Sequence, residues 1–213
     1  MLVKTGNIQH LCILLLVAFL TLLVSGLGIG AKTAFSQSNP IPSGDLSPKA
    51  IQESINGGIS FLREKQLKDG SWDEYPGYRP GSTALCALSL LSTGLDKDDP
   101  TVAKALDALR RSMPETEFQT YPVSLQTMVF CLADPQRDQA LIRRNVDWLI
   151  ERQFKTNNVF NGGWAYVGSQ QQYDQVDNSN SQFAILALFE AQRVGIEIPE
   201  AVWDSALQYW LRM

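Results

Sequence analysis

The chain has 213 residues, 45% of them hydrophobic, with 18 basic against 22 acidic side chains and a single histidine. That length is ample for a packed core, and so many apolar residues exclude a disordered chain. The net charge of −4 gives no electrostatic reason to expect a nucleic-acid partner.

The chain opens with Lys4 and an apolar run from Leu11 to Val24, interrupted only by Thr21. Ala34-Phe35-Ser36 then offers a small-x-small cleavage site before Gln37. Residues 1–36 read as a signal peptide, and the globular part is expected outside the cytoplasm. An uncleaved anchor is the alternative, because Leu11 to Ala31 spans 21 mostly apolar residues. In that case alone would the chain touch a membrane, through this segment. Residues 37–47 are a polar, proline-containing linker.

Removing residues 1–36 removes His10, the only histidine, and leaves 16 basic and 22 acidic groups. Without histidine there is no Ser-His-Asp triad, no Cys-His pair and no His-containing zinc site. Neither metal nor cofactor is expected. Cys86 and Cys131 lie in apolar runs and read as buried thiols rather than a disulfide.

From Pro48 onward the pattern predicts helices over 48–67, 82–93, 100–112, 122–133, 135–154, 179–194 and 199–213. Ser47-Pro48, Asp99-Pro100, Asp134-Pro135 and Ile198-Pro199 look like helix starts, with proline at the first helical position. Gly94 and Gly195 look like stops. The helices alternate in kind. In 48–67 a stripe of Ile51, Ile55, Ile59 and Leu62 faces charges, and 100–112, 135–154 and 199–213 are amphipathic as well. TALCALSLL (83–91), LQTMVFCLA (125–133) and FAILALFEA (183–191) are apolar nearly all round and must be surrounded by other helices. This order predicts an all-α fold, a partial α/α toroid of about seven helices with amphipathic helices outside and buried ones inside.

A repeat runs through the chain. FLREKQLKDGSW (61–72) and WLIERQFKTNNVFNGGW (148–164) both carry a Leu, a Gln four residues later, and a loop that reaches Gly-x-Trp. The paired residues are Leu62, Gln66, Gly70 and Trp72, and Leu149, Gln153, Gly162 and Trp164. Gln amides can bond free backbone groups at helix ends, and Trp can pack over them. These residues read as braces between repeats, with ligand binding by the tryptophans as the lesser reading.

With these residues the chain resembles the squalene–hopene cyclase and protein prenyltransferase superfamily of α/α toroids. Gly58, Leu62, Gln66, Gly70 and Trp72 match the spacing of the QW motif of triterpene cyclases, although Gly57 stands where that motif has a basic residue. NGGWAY at 161–166 and DNSNSQFAILALFEA at 177–191 are also similar to toroid repeats of exported bacterial proteins. The resemblance implies a closed ring of five to seven helix pairs. Tyr209-Trp210-Leu211 lines up with Asp147-Trp148-Leu149, so a further Gln and Gly-x-Trp are expected beyond residue 213, in a longer protein. An incomplete ring would instead associate through its uncovered inner helices.

Asp96-Lys97-Asp98-Asp99 matches the cyclase acid motif letter for letter, with Asp98 as the proton donor that the resemblance implies. The surrounding Gly94 and Pro100 favour a solvated turn in which Asp99 caps a helix and Lys97 keeps the carboxyls ionised. The best candidate binding surface is formed by the loops 73–81 and 165–178, with Tyr75, Tyr78, Arg79, Tyr166, Tyr173, Asp174 and Asp177. The plain alternative is a loop lid with Asp177, Asn178 or Ser179 capping a helix. Gln170, Gln171 and Gln172 read as solvated.

Three functions compete. The first is a non-catalytic exported module that binds a ligand or protein partner or acts as a scaffold. The second is a terpene-cyclase-like enzyme acting on a polyprenyl or triterpene. The third is a carbohydrate-active enzyme, for which Asp73, Glu74, Asp174 and Asp177 are the available carboxylates. We expect the first.

Overall fold

The computed structural model describes residues 47–74, 77–112, 120–166 and 176–212. Residues 1–46, which hold the expected signal peptide and most of the expected linker, lie outside them, as do Tyr75, Gln170, Gln171, Gln172, Tyr173 and Asp174. The described chain is all-helical, with α1 Pro48–Lys65, α2 Gly81–Ser92, α3 Pro100–Arg111, α4 Thr120–Ala133, α5 Gln139–Arg152, α6 Asn178–Arg193 and α7 Glu200–Arg212. Its one β-type pairing is an isolated bridge between Ala165 and Val176. No described helix is long and apolar enough to cross a membrane.

Local chemistry sets most helix starts. Ser47 accepts a hydrogen bond from the Ala50 N–H ahead of Pro48. Asp99 does the same for Thr101 and Val102 ahead of Pro100. The expected start at Pro135 is a correction. Residues 135–138 form a separate turn, to which Asp134 contributes by accepting from the N–H groups of Arg137 and Asp138, and α5 begins at Gln139. The Asp138 side chain does not cap α5. It is held by Arg110 of α3 through two hydrogen bonds of 2.8 Å.

The three apolar helices pack side by side, α2 against α4 and α4 against α6. Their N-termini lie together. Gly81 approaches Pro122, Thr120 Oγ1 donates to the Ala165 carbonyl, and the rings of Tyr121 and Phe183 are 4.7 Å apart. The polar-faced helices flank this row, α3 on α2 and α5 on both α4 and α6. Burial is greatest in α4, where nearly every residue from Thr120 to Cys131 is buried. One helix departs from the expected pattern. No residue of α1 is buried, and Ile51 and Ile55 of its stripe are exposed. The matching stripe in α5, Ile142, Val146 and Leu149, is fully buried because α4 and α6 cover it.

A buried polar network joins the layers. Gln126 of α4 donates to the Leu109 carbonyl of α3, while its Oε1 accepts from Asn145 and Arg144 of α5. Burial holds the Arg144 guanidinium below its ordinary pKa. Cys86 and Cys131 are free thiols that burial raises to about 11 and about 12, so neither is a nucleophile at neutral pH.

Candidate functional site

The paired Gln and Trp residues occupy the same positions in both copies. Gln66 Nε2 donates to the carbonyls of Gly70 and Thr101, and Gln153 Nε2 donates to those of Gly162 and Val202. Each Gln thus ties its own loop to the first turn of a later helix, α3 for Gln66 and α7 for Gln153. The Trp72 indole donates to the Leu62 carbonyl and the Trp164 indole to the Leu149 carbonyl. Their backbone N–H groups bond Thr83 of α2 and Ser181 of α6. Gly70 and Gly162 both have φ of +91°, and a Cβ at either would strike a carbonyl of α3 or α7, that of Lys104 or Ser205. Only glycine meets both demands. This correspondence also pairs α3 with α7. All eight residues therefore have structural contacts, and Trp164 is wholly buried.

Asp96-Lys97-Asp98-Asp99 forms an exposed turn. Asp98 pairs with Lys97 at 2.9 Å, and that hydrogen bond and charge hold its carboxyl below the usual range. For Asp99, burial works to raise the pKa, but the N–H groups of Thr101 and Val102 and the Arg63 guanidinium at 2.7 Å bring it below the ordinary value. An exposed, ionised Asp98 lacks the protonated carboxyl that a cyclase acid requires.

The pH dependence follows from the sign of the Asp99 shift. A carboxyl whose folded pKa lies below its unfolded value of about 3.9 stabilises the fold above that pH, and the contribution drains as pH falls through the lower folded value. Asp99→Asn is expected to flatten the acid limb of a stability-against-pH curve, read by denaturant melts from pH 6 downward. Asp98→Asn is expected to leave it nearly unchanged, because exposed ion pairs contribute little. An acid limb unaltered in Asp99→Asn counts against this assignment.

The binding surface expected from the loops is reached only in part. Tyr166 and Asp177 lie around Tyr121, whose ring is 5.7 Å from that of Tyr166. Tyr78 and Arg79 precede α2, where the Tyr78 carbonyl accepts from Gly81 N–H. Tyr75, Tyr173 and Asp174 lie outside the described residues. Asp177 caps α6, accepting from the Asn180 backbone and amide and from the Ser179 hydroxyl. Glu74 caps α2 from outside the helix, its two oxygens accepting from the N–H groups of Ser82 and Thr83. Both carboxylates are thus engaged at helix N-termini, where the dipole favours them.

Tyr121 and Gln126 escaped the sequence reading, and Glu74, named there only as a carboxylate for sugar chemistry, is a helix cap. Tyr121 links Tyr166 to Phe183, and burial pushes its phenol up to about 12 against the lowering effect of Ser179. At neutral pH it can donate a hydrogen bond but cannot serve as a base. The sequence signal available for Tyr121 was its place one residue inside a buried helix. Among the described residues, no group of three His, Cys, Asp or Glu side chains is gathered as a metal centre. Compared with known proteins, the chain matches no family model and no curated protein.

Proposed function

We propose that this chain is a non-catalytic, exported module of the α/α-toroid type, resembling squalene cyclase and prenyltransferase repeats, that binds a ligand or protein partner or serves as a scaffold. The observation that carries this reading is the engagement of the carboxylates. Asp99, Glu74 and Asp177 cap three helices, and Asp98 is exposed and paired with Lys97. The toroid reading draws support from the alternation of flanking and buried helices and from the repeated Gln–Gly–Trp brace.

The scaffold role draws support from α7. Its counterparts of Val102, Leu106 and Leu109 in α3 are Trp203, Leu207 and Trp210. The α3 stripe is buried, with Leu106 only 2% exposed, whereas Leu207 is 56% and Trp210 39% exposed, with Leu211 exposed beside them. A second apolar face of this kind on one helix marks an interaction surface. Incubation of the purified protein with squalene and with polysaccharides, followed by product analysis, is expected to give no turnover. Turnover that disappears in Asp98→Asn would establish the cyclase reading in its place.

A further inference from the structure

The two copies of the brace differ in the loop that precedes Gly-x-Trp. In the first copy Leu67 N–H donates to the Ser71 carbonyl, and in the second Phe154 N–H donates to the Gly163 carbonyl. Between these matched anchors lie residues 68–70 in one copy and 155–162 in the other. The longer loop folds on its own polar groups. Asn158 Oδ1 accepts from Thr156 Oγ1 at 2.6 Å and from Phe160 N–H at 3.0 Å, and Asn161 Oδ1 accepts from Thr156 N–H at 3.0 Å. The amide oxygens of Asn158 and Asn161 are therefore used within the loop, and their NH2 groups remain as donors.

This loop and the end of α7 enclose an open cleft of about 530 Å³, lined by Thr156, Asn157, Asn158, Val159, Asn161 and Arg212. The volume lies in the range of small-molecule sites. Arg212 is the counterpart of Arg111, whose Nη2 donates to the Asp69 carbonyl at 2.9 Å. Across the longer loop Arg212 has no such acceptor among the described residues. The cleft thus combines a forked cation with neutral amide donors, and among the described residues its lining holds neither a carboxylate nor a second cation.

We propose that this cleft binds a carboxylate-bearing small molecule of about sugar-acid size. A planar, singly charged carboxylate matches the guanidinium fork in geometry and in charge. A phosphate dianion would keep an uncompensated charge there. The amides of Asn158 and Asn161 are placed to donate to the remaining oxygens, and the exposed Val159 side chain offers an apolar contact.

The test is a titration of the isotopically labelled full chain, following side-chain amide and backbone NMR signals. Glucuronate is the probe, with glucose and inorganic phosphate as comparison arms. Saturable shifts of Asn157, Asn158 and Asn161 are expected with glucuronate, and binding at least about tenfold weaker with glucose. Arg212→Gln is expected to abolish the saturable response. Asn158→Asp keeps the oxygen that orders the loop and replaces the donor NH2 with an acceptor, so it should weaken binding with the backbone spectrum unchanged. Equal responses to glucose and glucuronate, undiminished binding in both variants, or tighter binding of phosphate than of glucuronate would each overturn the proposal.

Discussion

Trp164→Ala is expected to lower the unfolding free energy by about 3–5 kcal/mol, the usual cost of deleting a wholly buried large aromatic. Two effects add. The indole fills the core between α5 and α6, and its Nε1 satisfies the Leu149 carbonyl at the end of α5, 2.8 Å away. Removing it leaves a cavity and takes away one of the two hydrogen bonds that the Leu149 carbonyl accepts, the other coming from Gln153 N–H. Trp72→Ala makes the same deletion in the first copy, where the acceptor Leu62 belongs to the largely exposed α1, so its cost is expected to be smaller. Denaturant melts of the two variants measure the difference. A change near zero in Trp164→Ala would remove the brace assignment and return the residue to the candidates for ligand binding.

The second large effect lies at the junction of α3 and α5. Asp138 is 2% exposed, and Arg110 holds it with two hydrogen bonds of 2.8 Å. Asp138 also raises the Arg110 pKa, chiefly through that hydrogen bond. Arg110→Ala leaves a buried carboxylate without its counter-ion and is expected to cost about 3–5 kcal/mol. Replacing both residues with apolar side chains of similar volume is expected to recover most of that loss, because a buried pair gains little over good packing. A double-mutant cycle by chemical denaturation checks this. Single and double variants of equal stability would show that packing by the Arg110 stem, rather than the ion pair, supplies the stabilisation.

The helices were legible where a short-range device sets them. Ser47 and Asp99 ahead of a proline define α1 and α3, and the three apolar runs identify α2, α4 and α6 as the packed row. The Gln–Gly–Trp pairs were legible as braces because two copies carry them. Pro135 misled because its neighbour Asp138 is claimed by Arg110, a partner 28 residues back in the chain. The cap on α2 was hidden for a similar reason, since Glu74 reaches the helix from outside its first turn and the local residue, Pro80, has no side-chain oxygen to give. The stripe of α1 reads like that of α5, yet exposure depends on which helices stand beside each, and no local pattern carries that information. Of the expected surface, the aromatic pairing of the loop residue Tyr166 required Tyr121, which comes from α4.

The α1 stripe has a consequence for how the chain comes apart. With no buried residue, α1 contributes little of the interaction energy that resists local opening, whereas α4 is held on several sides. Stability in stacked helical units is transmitted from neighbour to neighbour. Fraying therefore begins at α1 and exposes the Leu62 carbonyl and the Trp72 indole first. Because the second brace joins α5 to α6 and α7 without using α1, the rest of the stack keeps its own closure while that end breathes.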